Sequence, residues 1–193
     1  MGFTRAELLA FRGQTLPDLL GPETCLLIVG INPGLLTVAV QSHFGRRGNR
    51  FYPALYRAGI VDRLIDAADG FVEADREHLI ARGVGITNLV RAATARADEL
   101  STEELLAGAR SLETRVRTIK PGAVAMLGIT AYRTAFARPH ASVGLQPELI
   151  GGAPLWVVPN PSGLNAHATL DGLAAAYRQV AIAAGIDVLD PPD

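Results

Sequence analysis

The chain has 193 residues, is 49% hydrophobic and 19% charged, and carries a net charge of −1. That length and composition describe one globular domain with a real core rather than a disordered chain, and the near-neutral charge excludes a global field that would draw it to nucleic acid, so DNA binding has to rest on a local basic patch. Cys25 is the only cysteine, which excludes a disulfide framework, a cysteine zinc site and an iron–sulfur cluster.

The N-terminal stretch MGFTRAELLAFRG carries charges and no long apolar run, so no signal peptide is expected, and no segment approaches a membrane span. A cytoplasmic protein, associated with the nucleoid through DNA, is the expectation. Thr4-Arg5-Ala6-Glu7 has capping-box spacing and predicts a short helix ending near Gly13. Cys25 opens an apolar run and is expected to be a buried, inert thiol. Leu26–Gly30 predicts a strand apolar on both faces, as in a covered parallel sheet. Residues 31–50 are expected as a long loop rich in Gly and Arg. Helices are predicted over Phe51–Ala58 and Ala74–Arg82, the second closed by Gly83. Gly85–Val90 reads as a strand. Ser101-Thr102-Glu103-Glu104 opens a helix that runs to Lys120, the only lysine, and stops at Pro121.

Ala123–Leu127 predicts a strand, Thr130–Ala137 a helix, and Leu149–Trp156 a hairpin through Gly151-Gly152 whose second arm, Leu155–Val158, is a buried strand. Thr169–Ala184 is the last predicted helix, with Asp171 near its positive end. Strands alternating with helices define an α/β fold with a mainly parallel sheet. No repeat, linker or composition break divides the chain, so a single domain over 1–193, with its core at about 25–184, is expected.

Two strand ends share their chemistry. One runs Gly30-Ile31-Asn32-Pro33-Gly34 and the other Pro159-Asn160-Pro161-Ser162-Gly163-Leu164-Asn165. In parallel sheets both lie on the edge where sites form. Each Asn-Pro turn taken singly is more often a structural corner than a catalytic one; two at equivalent strand ends favour a site. Gly30-Ile31-Asn32-Pro33-Gly34 is neither a Walker loop nor a dinucleotide fingerprint, and no Gly-Lys-Ser/Thr occurs.

Together these segments resemble the mismatch-specific uracil/thymine-DNA glycosylases, a branch of the uracil-DNA glycosylase superfamily. Phe44, Gly48-Asn49-Arg50-Phe51-Tyr52 and Gly83–Val90 fit the family pattern between them, and the resemblance covers roughly Leu26 to Val180. It implies a three-layer α/β/α sandwich around a four-stranded parallel sheet. It also implies a monofunctional enzyme that excises uracil, and in some members thymine or damaged pyrimidines, from G:U or G:T mispairs in double-stranded DNA. No cofactor and no metal are implied, and a monomer is expected.

The chemistry expected of the residues follows. The target nucleotide has to be flipped out of the duplex. Asn32 cannot act as a base, but its carbonyl oxygen can hold a water under C1′, and Pro33 stiffens the corner that carries it. By resemblance, backbone N–H groups near Ile31 and Phe44 serve the leaving base, and Phe44 offers it a flat face. Thr37 is a candidate filter for thymine's methyl group. In the second loop Leu164 is a candidate wedge, with a staple before the following helix as the alternative. Gly163 and Asn165 are candidates for the widowed guanine, and Ser162 for a phosphate. Arg46, Arg47 and Arg50 form a basic cluster placed for phosphates. His43 and His167 flank the loops and can reach DNA.

Two positions depart from the family pattern. Ala166 stands where an arginine often follows the wedge, and Arg91 stands where many relatives carry an acid. A strand-cleaving lyase needs an amine, and Lys120 lies away from both loops. A non-catalytic mismatch-binding module and a small-molecule nucleotide-binding domain remain as alternative readings.

Overall fold

The structure, a computed structural model, describes residues 2–163, 165–166 and 168–190. Leu164 and His167, both singled out above, lie outside the described residues. Five strands form one sheet in the order β2-β1-β3-β5-β4. They are β1 (Leu26–Gly30), β2 (Val84–Asn88), β3 (Ala123–Leu127), β4 (Gly144–Ile150) and β5 (Ala153–Val158). β1 pairs in parallel with β2 and β3, and β3 with β5; β4 alone is antiparallel, against β5.

The alternation of side chains explains the three layers. Leu26 and Ile28 of β1, with Ala123 and Ala125 of β3, pack on α3 (Phe51–Arg57), α4 (Glu73–Ala81) and α7 (Leu170–Ala183). Leu27 and Val29, with Val124 and Met126, pack on α5 (Thr102–Ile119) and α6 (Ile129–Ala135). Every residue of β1, β2 and β3 is buried, as expected of a sheet covered on both faces. Burial of each Leu, Ile or Val in these strands stabilises by about 1.5–3 kcal/mol.

The helix boundaries follow their caps. Thr4 and Ser101 each close a reciprocal capping box, on α1 (Arg5–Leu9) and α5. The last helix starts where the Thr169 hydroxyl accepts from Gly172 N–H at 3.0 Å. After α4 the chain turns at Gly83, whose φ is +72° and whose added Cβ would meet Cys25 Sγ at 3.2 Å. That is the left-handed position where glycine ends a helix.

Three expectations are corrected. The sheet has five strands rather than four, because the first arm of the hairpin extends back to Gly144. Pro147 lies within it, where the register shifts between Leu145 and Leu149; proline is tolerated there because the strand is an edge and the ladder is already interrupted. The segment 31–50 contains a short helix, α2 (Leu35–Ala39), which buries Leu35, Thr37 and Val38. Cys25 is half-buried rather than buried. Among the described residues no helix is long and apolar enough to cross a membrane.

Candidate active site

A cavity of about 180 Å³ opens at the carboxyl edge of the sheet. Four strand ends feed it: Gly30–Gly34 after β1, Asn88 and Thr94–Ala97 at and after β2, Leu127 of β3, and Asn160 with Ser162 after β5. The segment between α2 and α3 adds His43, Phe44, Arg46 and Asn49. Strand β1 is flanked by β2 on one side and β3 on the other, so the chain leaves it in one direction and returns on the other. This is the kind of crevice in which open α/β sheets bind ligands.

Asn32 is held from behind. Its Nδ2 donates to Ala92 O at 3.1 Å and to Thr94 Oγ1 at 2.8 Å. The Thr94 hydroxyl in turn donates to Arg96 O at 2.7 Å, so toward Asn32 it is an acceptor. A carbonyl and an already-donating hydroxyl both require the nitrogen of the amide, which fixes the amide orientation by hydrogen-bond logic. The remaining atom, Oδ1, has no protein donor among the described residues, and Asn32 lines the cavity. The corner itself is anchored to the segment after β2: Val90 N–H donates to Ile31 O at 2.9 Å and Thr94 N–H to Pro33 O at 3.3 Å.

Phe44 stacks on Phe51, with ring centroids 3.9 Å apart and planes 27° from parallel. Its backbone is left-handed, with φ of +55°, an uncommon state for a bulky side chain. The surroundings hold it there. The Tyr52 hydroxyl donates to His43 O at 2.7 Å, and Gly45 N–H to Ser42 O at 3.2 Å. Strain of this kind persists where neighbours over-determine the geometry. The N–H groups of Ile31 and Phe44 have no acceptor among the described residues.

Gly30 makes room for this arrangement. A Cβ there would lie 2.6 Å from Asn88 Oδ1 and 3.4 Å from the Phe44 ring. Asn88 ends β2, is buried, and its amide has no hydrogen-bond partner among the described residues. It is a cavity residue that the sequence reading passed over. The signal was present: an apolar strand ending in an amide, as β1 runs into Asn32.

Behind Asn88 the backbone is braced from α5. The Arg115 guanidinium donates to Asn88 O at 2.9 Å, to Leu89 O at 3.4 Å, and to the Thr87 hydroxyl. Asp18 accepts from Thr87 Oγ1 at 2.7 Å and from Arg91 at 3.2 Å. Arg91, noted above as a departure, therefore serves a carboxylate at this brace. Burial lowers the pKa of Arg115, and Asp18 opposes that shift.

His43, expected to flank the first loop within reach of DNA, lines the cavity and is buried. Its Nε2 lies 2.9 Å from Pro17 O, which can only accept, so Nε2 carries the proton. Burial pushes its pKa down to about 4, the Pro17 bond opposing, and the ring is neutral at neutral pH. Thr37 is buried at the cavity wall.

The basic cluster divides. Arg46 is exposed at the cavity and has no acid partner among the described residues. Arg47 pairs with Asp69 at 2.9 Å, both well exposed. Arg50, expected among the phosphate-facing arginines, turns instead into the protein and donates to the carbonyls of Ser162 at 2.8 Å, Asn165 at 2.9 Å and Ala168. The second loop is thus tied to the first. Within it Asn160 Oδ1 accepts from Ser162 N–H at 2.9 Å, and Asn165 Nδ2 donates to Asn160 O at 3.1 Å. Gly163 sits where an added Cβ would meet Gly48 O at 2.9 Å. Lys120 caps the C-terminus of α5 just before β3, at the opposite edge of the sheet. No cluster of three or more metal-ligating side chains occurs among the described residues.

A profile of the uracil DNA glycosylase superfamily matches residues 17–183. The chain belongs to that superfamily, whose members are DNA glycosylases, hydrolases of the bond between base and sugar. Among solved structures, the chain is similar to the solution NMR structure of a protein from Methanosarcina acetivorans, provisionally assigned as a uracil DNA glycosylase. The two share 18% identity, the match covers 87% of this chain and 98% of that one, and the TM-score is 0.58. At that identity the likeness establishes the α/β fold.

Proposed function

We propose that the protein is a monofunctional DNA glycosylase that hydrolyses uracil, and more slowly thymine, from G:U and G:T mispairs in double-stranded DNA. The observation that carries this reading is the Asn32 amide, which lines a cavity at the carboxyl edge of the sheet and is pinned through its nitrogen, with Oδ1 left without a protein donor among the described residues. An amide oxygen held this way can orient one water for attack on C1′ without acting as a base. The water oxygen bonds to C1′ as the C1′–N1 bond breaks. Its electrons leave with the base as uracilate, and the water's proton passes to solvent. The leaving anion is stabilised by donors placed at its carbonyl oxygens, a role for the N–H groups of Ile31 and Phe44, which have no acceptor among the described residues.

The flipped base stacks on the face of Phe44 not covered by Phe51. The Asn88 amide offers one donor and one acceptor to the base edge, matching an adjacent N–H and carbonyl of uracil. Thr37 lies at the wall where thymine's extra methyl group would bear. The second loop, Ser162 to Asn165 with Leu164, enters the duplex and faces the widowed guanine. Arg46 and Arg47 meet the phosphates. A mispair lowers the cost of flipping, which accounts for the mismatch preference. Hydrolysis rather than imine chemistry fits the placement of Lys120 at the far edge of the sheet.

The test is incubation with labelled duplexes carrying G:U, A:U or G:T, and with single-stranded uracil, followed by alkali. Strand cleavage only after alkali, fastest for G:U, is the expected result. A gel shift with no abasic product from any substrate refutes the enzyme and leaves a mismatch-binding module.

A further inference from the structure

We propose that Arg50 is a positioning residue that sets the DNA-entering loop against the base pocket, so that seating of the loop and occupancy of the pocket act together. The inference rests on the proposed function and goes beyond it. Three consecutive residues carry the connection. Asn49 lines the cavity, and its Oδ1 accepts from Phe51 N–H at 2.9 Å. Phe51 supports the Phe44 ring from below. Arg50, between them, donates its backbone N–H to Pro161 O at 3.1 Å and its guanidinium to the carbonyls of Ser162, Asn165 and Ala168.

A half-buried arginine with both terminal nitrogens committed to carbonyls is poorly placed to take a phosphate without releasing the loop. It is well placed to define the loop's position. The planar guanidinium reaches several acceptors in a fixed fork, whereas a lysine ammonium is a single point on a flexible stem. The base of the same loop has a second support, since the buried Tyr177 hydroxyl donates to Pro159 O at 3.3 Å. Arg50 is therefore a polar side chain that joins the 43–51 segment to the loop's far half, and Gly163 lies close against Gly48 O at the same junction.

The prediction concerns a ratio of rates. A uracil in a G:U pair has to leave the stack while the loop fills the hole it vacates. A uracil opposite a tetrahydrofuran abasic analogue is already unpaired and leaves no partner to satisfy. A residue that positions the loop matters more for the first, whereas a residue that only supports the fold affects both equally. The experiment measures single-turnover excision from both duplexes by wild type and by Arg50→Lys. The expected result is that the variant loses about tenfold more rate on G:U than on the unpaired uracil. Equal losses on both, or no loss on either, overturn the proposal.

If Arg50→Lys does not fold by circular dichroism and thermal melting, Gly163→Ala decides. It keeps Arg50 but pushes the loop away from Gly48, and it has to show the same selective loss on G:U; an unchanged ratio overturns the proposal. A wild-type protein that excises neither uracil fails the proposed function itself and takes this inference with it.

Discussion

Thr94→Val isolates the anchoring of Asn32 from Asn32 itself. The substitution keeps the shape of the side chain and removes one hydroxyl, and with it the 2.8 Å bond from Asn32 Nδ2 and the 2.7 Å bond to Arg96 O. Each bond contributes about 1 kcal/mol net, so the variant should lose about 1–2 kcal/mol of stability. Asn32 keeps its bond to Ala92 O but becomes freer to rotate about it. If about 1–1.4 kcal/mol of orientational preference is lost, the productive orientation is about five- to tenfold less populated, and the single-turnover rate falls by that factor. The assay is single-turnover excision from a G:U duplex, run as a double-mutant cycle with Asn32→Ala. Once Asn32 is gone, Thr94→Val should cost almost nothing further, because the two residues act as one unit. A wild-type rate for Thr94→Val, or a loss that simply adds to that of Asn32→Ala, refutes the reasoning.

Three other outcomes follow from the same geometry. Gly30→Ala places a Cβ 2.6 Å from Asn88 Oδ1; it should cost about 1 kcal/mol of stability by overpacking yet reduce single-turnover excision by about tenfold or more, and a wild-type rate would show that Asn88 does not meet the base. Arg115→Ala leaves Asp18, whose side chain is 13% exposed, without one of its two cationic neighbours; urea unfolding should show a loss of about 3 kcal/mol with an unchanged slope. His43 has its pKa lowered from 6.5 to about 4 in the folded protein. Between those values the unfolded chain binds a proton that the folded one does not, so stability rises with pH across that window and is lost on acidification, by up to about 3 kcal/mol. His43→Gln should flatten the dependence of unfolding free energy on pH between 4.5 and 6.5, and an unchanged slope would assign it to other groups.

The elements built on strong periodicity and caps were legible in the sequence. β1 and β3 match their expected spans, and both capping boxes form. Both loops reach the same cavity because parallel strands deliver their carboxyl ends to one edge, and Thr37 of α2 and Phe44 of the segment after it line the same cavity. What was not legible depends on contacts distant in sequence. Nothing local to Thr94 marks it as the anchor of Asn32, 62 residues earlier. The Arg50 guanidinium reads as a surface charge until the carbonyls of Ser162 and Asn165, 112 and 115 residues later, are brought against it. The helix α2 has only five residues, too short for a 3.6-residue period to declare itself. β4 is obscured by Pro147, which a central strand would exclude and an edge strand accepts.

The central claim is that a water oriented by the Asn32 amide oxygen attacks C1′. It is tested most directly by single-turnover excision of uracil from a G:U duplex by Asn32→Ala, with folding and duplex affinity measured on the same preparation. A rate about a hundredfold or more below wild type, with folding and affinity preserved, is the predicted result. A variant that excises uracil at the wild-type rate contradicts the account.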